Sequence, residues 1–256
     1  MNIDRRSFLA ASIASLTASQ ARGFTVPTTL LQTSMANLSS IQAPLAGTGI
    51  GHQFVTSPVN NFVDGGVRFN SKDDYLSYPE QSGIVQHYAP AAGSLEFDFR
   101  PRWKPTDTEK LSFLTRRAWT APPGPGLFEW GLHNLSNARR MRLISVDAAG
   151  VRSDQTIERP DWEPHFTQNV WRRVRITWDW NVPVGVQCVH IYSNGTEIPI
   201  TRWEVNLVVQ PGIPTLTGPH SFVGLDPAHD IYIGNRGPGS NYRANADIRN
   251  FVSEAA

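Results

Sequence analysis

Between Trp171 and Glu197 apolar and polar residues alternate along two limbs separated by a short turn segment. On the first limb Val174, Ile176, Trp178 and Trp180 alternate with Arg173, Arg175, Thr177 and Asp179, the two-residue period of a strand with one buried face. On the second, Val189 and Ile191 share the buried side while Cys188, His190 and Tyr192 point the other way. Asn194-Gly195 is the positive-φ pair of a type I′ turn, so a third strand is expected to leave at Thr196. The pattern is that of an antiparallel meander.

The same period recurs along the chain. Val67 and Phe69 flank Arg68 after the turn Asp64-Gly65-Gly66, and residues 70–74 turn into a strand over 75–79. In residues 94–100, Leu95, Phe97 and Phe99 face one way and Glu96, Asp98 and Arg100 the other. Phe128, Trp130 and Leu132 stand opposite Glu129 and His133, with 141–146 as the partner strand. Further strands are expected over 201–209, 231–234 and 246–252. Proline punctuates 101–105, 121–126 and 159–168, which read as loops. No segment holds a helical period over three turns. Many short strands at regular spacing predict an all-β fold, a two-sheet antiparallel sandwich of jelly-roll type.

Composition narrows the function classes. The 256 residues include 20 Gly and 19 Pro, which suit frequent turns, and the formal net charge is +1. A nearly neutral chain argues against nucleic acid as the partner. Cys188 is the only cysteine, which excludes an internal disulfide and a thiolate zinc site, and a buried free thiol is expected.

Arg5-Arg6-Ser7-Phe8-Leu9 is the twin-arginine pattern, followed by a weakly apolar run and a small-x-Ala site at Ser19-Gln20-Ala21. Residues 1–21 therefore read as a twin-arginine export signal that sends a folded protein to the periplasm or beyond. Residues 22–53, rich in Ser, Thr, Ala, Gly and Pro, read as a low-complexity linker and irregular lead-in, leaving 54–256 as one domain. No apolar run of membrane-spanning length occurs in the mature chain.

Three stretches carry a family resemblance. Residues 66–79 (GVRFNSKDDYLSYP) are similar to an entry strand and turn. Residues 169–179 and 189–195 match a central meander, and 231–235 with 247–251 match closing strands. Together they resemble the laminin-G-like branch of the concanavalin A-like lectin and glucanase superfamily. That resemblance implies two antiparallel sheets, one of them curved, with ligands on the concave face or the rim loops. It does not choose among sugar binders, adhesion modules, hydrolases and lyases.

The non-core strand faces bring together Glu96, Asp98, Arg100, Arg173, Arg175, His190 and Tyr192, with Asp179 beside them. Carboxylates, guanidiniums, an imidazole and a phenol hydrogen-bond sugar hydroxyls, so these seven residues are the candidate glycan-binding set. The bland alternative is a solvated face laced with ion pairs. A retaining hydrolase needs two carboxyl groups about 5–5.5 Å apart, and Arg100 and Pro101 occupy the place of the second glutamate. A polysaccharide lyase would use His190, Tyr192 and Arg173 or Arg175, but Gln187 and His190, three apart, are expected on opposite faces. Trp130, Trp178 and Trp180 read as core, whereas Trp103, Trp119, Trp162 and Trp203, beside loops or Pro, read as candidate stacking platforms. Asp73 with Asp74, and Asp226 with Asp230, offer oxygen ligands for a structural Ca²⁺. The resulting expectation is an exported lectin-like protein with a polysaccharide or glycan ligand. Its alternatives are an enzyme of the same fold and an adhesion or protein-interaction module.

Overall fold

The computed structural model describes residues 28–46, 52–54, 61–80, 86–118, 125–135, 138–212, 215, 217–218, 229–237 and 240–256. The twin-arginine segment, Trp119 and Asp226 lie outside them. In chain order the strands are β1 (Thr28–Thr33), β2 (His52–Phe54), β3 (Phe62–Val63), β4 (Gly66–Phe69), β5 (Tyr75–Pro79), β6 (Ala92–Pro101), β7 (Leu111–Ala118), β8 (Phe128–Leu135) and β9 (Ala138–Val146). They continue with β10 (Arg152–Ile157), β11 (Arg172–Asp179), β12 (Val189–Ser193), β13 (Thr196–Glu197), β14 (Arg202–Val205), β15 (Val208–Val209), β16 (His229–Ile233) and β17 (Ala246–Ala255). Among the described residues the α-helices are two short pieces, α1 (Leu38–Gln42) and α2 (Arg159–Trp162). Among the described residues no helix is long and apolar enough to cross a membrane.

The strands make the expected all-β sandwich of two antiparallel sheets. One sheet has eight strands in the order β13, β12, β11, β6, β17, β4, β3, with β1 also on β17; the other has nine, in the order β15, β14, β10, β9, β8, β7, β16, β5, β2. The two-residue alternation packs them. Leu95, Phe97 and Phe99 of β6 and Val174, Ile176 and Trp178 of β11 meet Phe128, Trp130 and Leu132 of β8 and Met141 and Leu143 of β9 in one buried cluster. Aromatic contacts bridge the sheets, with ring centroids 5.4 Å apart for Phe99–Trp130 and 4.8 Å for Phe99–Phe113. Each fully buried side chain of this size contributes about 1.5–3 kcal/mol, so the facing rows dominate stability.

Four expectations are corrected. Residues 22–53 are not merely a linker: β1 pairs along the second half of β17, and Leu31, Met35 and Ile41 are fully buried in the core. The stretch 201–209 is a hairpin, β14 and β15, turning at Asn206 and Leu207 with φ of 48° and 68°. Residues 159–165 are helical, with Pro160 at the start of α2, where its missing N–H costs nothing. Trp103 and Trp162 are core, not platforms: both are fully buried, 5.7 Å apart edge to face. Trp203 is part-buried against that core.

β7 and β10 escape a reading by period. A register shift between Ser112 and Leu114 breaks the alternation of β7, and β10 is polar on its outward side and partly polar within. β17 also carries an irregularity, between Arg249 and Val252, with Asn250 at φ 53°. That break lets β4 pair its first half and β1 its second.

Candidate functional site

The outward face of the eight-stranded sheet receives all seven sequence-predicted residues. Register sets Arg173 opposite Asp98 and Arg175 opposite Glu96, while Tyr192 lies across from Arg175 and His190 across from Thr177. Adjacent strands thus present these groups within side-chain reach.

At one end the charges satisfy one another. Asp247 is fully buried and accepts from Arg68 Nε at 2.8 Å and Arg100 Nε at 2.7 Å, while Arg100 Nη1 donates to Asp64 at 2.6 Å. Asp98 accepts from Arg249 Nε at 3.1 Å and Asn250 Nδ2 at 2.8 Å. The guanidiniums of Arg100 and Arg249 lie 4.6 and 4.2 Å over the Trp171 ring, so cations already use this indole. Asp98 and Arg100 are therefore committed to the sheet's own lattice.

The other end is open. His190, Thr177, Ser94 and Glu254 form one cross-strand row, and Tyr192, Arg175 and Glu96 form the next. Thr177 and Ser94 are short beside Arg175 and His190, so a trough results. Two cavities adjoin there. One, of about 300 Å³, is lined by Ser94, Arg175, Thr177, Asp179, His190 and Glu254 with Val182, Val186 and Gln187 at its wall. The second, of about 420 Å³, is lined by Glu96, Arg173, Arg175, Thr177, Tyr192 and Gly195. Arg175 and Thr177 belong to both.

Arg173 closes on Glu96, donating from Nε at 2.8 Å and Nη2 at 2.5 Å. Arg175 is looser. Its nearest carboxylate oxygen among the described residues, Glu96 Oε2, is 4.0 Å away, and 48% of its side chain is exposed. The rings of His190 and Tyr192 lie nearly parallel with centroids 6.3 Å apart. His190 Nδ1 is 2.7 Å from Glu197 Oε1. Burial and the Glu197 charge raise the Tyr192 phenol above its ordinary pKa against the pull of Arg175, which keeps it a neutral donor. Gln187 and His190, expected on opposite faces, both line the smaller cavity, because Gln187 precedes β12 and escapes its alternation.

Cys188 forms part of that cavity's lining and is 1% exposed. Burial, helped by Asp179, pushes its thiol up to about 11. Alkylation by iodoacetamide near pH 8 is expected to be negligible in the folded protein and complete in denaturant, because the thiolate is the nucleophile. Rapid native labelling, read by mass spectrometry, would place the thiol in solvent instead.

The sequence reading missed a second charged layer, on the outward face of the nine-stranded sheet. Glu129 accepts from Arg236 Nε at 2.6 Å and Nη2 at 2.5 Å, and His133 Nε2 sits 3.4 Å away. Burial would raise the Glu129 carboxyl, but His133 and Arg236 outweigh it and hold it at about 2. Farther along, Arg142 bonds Asp154 and lies 3.7 Å from Glu204, while Arg152 and Arg202 close on the same two carboxylates at 2.9 and 2.7 Å. The signal was present in part, since Glu129 and His133 alternate with core residues. Their partner Arg236 is 107 positions from Glu129 and could not be assigned locally. Glu129, Arg142, Asp154 and Glu204 are all buried, whereas Arg173 and Arg175 are about half exposed, so the eight-stranded sheet presents the accessible face.

Of the candidate calcium ligands, Asp226 lies outside the described residues, and Asp74 and Asp230 have partners of their own. Asp74 accepts from the backbone N–H groups of Asn70 and Ser71 at 2.9 and 2.7 Å, the role of a turn cap. Asp230 accepts from the Tyr232 hydroxyl at 3.0 Å. Among the described residues no three His, Cys, Asp or Glu side chains are grouped to hold an ion.

No family model matches the chain, and no curated protein matches it. Solved structures share its fold at low identity. The ligand-binding domain of botulinum neurotoxin serotype D, solved with N-acetylneuraminic acid, is 12% identical with a TM-score of 0.55 over 89% of this chain and 47% of that one. The receptor-binding domain of the botulinum neurotoxin C/D mosaic serotype gives 13% identity and 0.54 over 89% and 48%. Domain 4 of AbnA, an extracellular GH43 arabinanase from Geobacillus stearothermophilus solved with arabinotriose, gives 13% and 0.51 over 91% and 94%. The chain thus spans about half the length of the toxin domains and nearly all of the arabinanase domain. Identities this low show a shared sandwich fold and nothing finer.

Proposed function

We propose that this chain is an exported, laminin-G-like, carbohydrate-binding sandwich whose ligand lies along the outward face of the eight-stranded sheet. The observation that carries the reading is the pair of adjoining cavities that share Arg175 and Thr177. A sugar presents hydroxyls that both donate and accept. The trough answers with donors from Arg175 and the Tyr192 phenol, acceptors from Asp179 and Glu254, and the two-way hydroxyl of Thr177, while the Ser94 hydroxyl donates to Glu254 at 3.2 Å. The parallel rings of His190 and Tyr192 add a flat edge against which a pyranose can rest.

The shared fold supports this, since a toxin domain solved with N-acetylneuraminic acid and an arabinanase domain solved with arabinotriose use the same sandwich. Residues 1–21 fit a twin-arginine signal, so the glycan would be met in the periplasm or outside the cell. On this reading Arg173, Arg175, His190, Tyr192 and Glu96 serve the ligand, while Asp98 and Arg100 hold the sheet face in shape.

A glycan array on the mature chain, followed by calorimetry on the best ligand, tests the proposal. Arg175→Ala is expected to weaken binding at least tenfold, the loss of a charge-assisted hydrogen bond of about 1.5–3 kcal/mol. Stability should change little, because the nearest carboxylate oxygen to Arg175 among the described residues is 4.0 Å away. Absence of binding to any glycan at millimolar ligand would overturn the reading.

A further inference from the structure

We infer that the sugar bound at Arg175 carries a carboxylate. This rests on the carbohydrate reading above and narrows it. Arg68, Arg100, Arg173 and Arg249 each hold a carboxylate oxygen at 2.8, 2.6, 2.5 and 3.1 Å. Arg175, between the two cavities, has its nearest carboxylate at 4.0 Å. Among the described residues Glu96 is the only carboxylate lining the larger cavity, and its Oε1 accepts both the Nε and Nη2 bonds of Arg173. The described residues therefore bring two guanidiniums and one carboxylate to the cavity, and Arg173 already takes Oε1 of that carboxylate.

A guanidinium presents a planar fork of N–H donors that matches the two oxygens of a carboxylate. Tyr192, directly across the strand pair from Arg175 and neutral, supplies a hydroxyl donor to the same space. The smaller cavity has the opposite character. Beyond the shared Arg175 and the rim His190, it is lined by Asp179 and Glu254 with Thr177, Ser94 and Gln187, and the two carboxylates accept from hydroxyls and repel an anion. The two lobes thus orient the chain of sugars, with the acidic residue on the Arg175 and Tyr192 side and a hydroxyl-bearing neighbour over Thr177.

The test compares three soluble polymers by calorimetry with the mature protein: hyaluronate, in which uronate and neutral sugars alternate, the same polymer with its carboxyl groups reduced to alcohols, and the reduced polymer after O-sulfation. The expected result is binding of the uronate polymer at least tenfold tighter than its reduced form, with the difference shrinking as salt rises. Arg175→Gln should erase that difference. Arg175→Lys, which keeps the charge without the fork, should retain only part of it, and Glu96→Gln, which frees Arg173 as well, should strengthen uronate binding. Equal affinity of the wild-type protein for the uronate and reduced polymers would overturn the carboxylate inference and leave the carbohydrate reading standing. Preference for the sulfated polymer would also overturn it. Failure to bind these polymers or any sugar on an array would remove both.

Discussion

Replacing Arg116 by Met is expected to lower the unfolding free energy by about 3–5 kcal/mol, the cost of leaving a buried carboxylate without its cation. Arg116 and Glu80 have essentially no exposed side-chain surface, and Arg116 Nε donates to Glu80 Oε2 at 2.7 Å. Arg116 Nη1 also donates to the Gly126 carbonyl at 2.7 Å, and the guanidinium lies 5.2 Å from the Tyr88 ring centroid. The other carboxylate oxygen, Glu80 Oε1, accepts the backbone N–H groups of His87 and Tyr88 at 2.7 and 2.8 Å. The pair therefore ties β7 to the strand end at Glu80 and to the segment entering β6. In a domain of this size the loss corresponds to a fall in Tm of roughly 6–20 °C. Glu80→Gln in the Arg116→Met background should recover much of it, because the amide oxygen still accepts both backbone bonds and no charge stays buried. Chemical denaturation of the single and double variants gives the comparison. An Arg116→Met protein within 1 kcal/mol of wild type would mean that this pair contributes little to stability.

Gly234→Ala is expected to be of comparable effect, for a steric reason. Gly234 follows β16 with φ at 92°, outside the range an L side chain adopts readily. A Cβ built there falls within 2.6 Å of Phe69 Cε1 and closer still to Cδ1 and Cγ. The backbone has little room to retreat, since Gly234 N–H donates to the Phe113 carbonyl at 2.8 Å and Phe69 is fully buried. The left-handed backbone costs about 1 kcal/mol and the overpacking about 1–3 kcal/mol or more, enough to leave little soluble protein. Gly195→Ala is the control. That glycine also has positive φ, 79°, but meets nothing within 4 Å, so only the backbone term applies. Phe69→Leu combined with Gly234→Ala should recover part of the packing loss. Equal stability of the Gly234 and Gly195 variants in urea would sink the steric argument.

The candidate site was legible as a face but not as a site. Once β6, β11 and β12 are read as strands, parity alone sends Glu96, Asp98, Arg100, Arg173, Arg175, His190 and Tyr192 outward. Parity cannot say which of them is free. Arg173 takes Glu96 from 77 positions away, and Arg100 meets Asp247 from 147 positions away. Nothing local ranks Arg173 above Arg175 for that partner. The short residues that open the trough, Ser94 and Thr177, drew no attention in sequence because their significance is the height of their neighbours.

What the sequence determined by itself is whatever depends on a few adjacent residues. The alternation of Leu95, Phe97 and Phe99, of Val174, Ile176 and Trp178, and of Phe128, Trp130 and Leu132 specifies the inner faces, because successive Cβ atoms leave a strand on opposite sides. Asn194-Gly195 specifies a hairpin because both residues tolerate positive φ, here 49° and 79°. Tertiary structure decided the rest. It turned Trp103 and Trp162 inward, drew residues 28–42 into the sandwich and buried Arg116 on Glu80. It also paired Arg68, Arg100, Arg173 and Arg249 on the outward face while leaving Arg175 in the trough. Strand register and burial sum contacts from distant parts of the chain, and no local pattern encodes which opposite charge will arrive across the sheet.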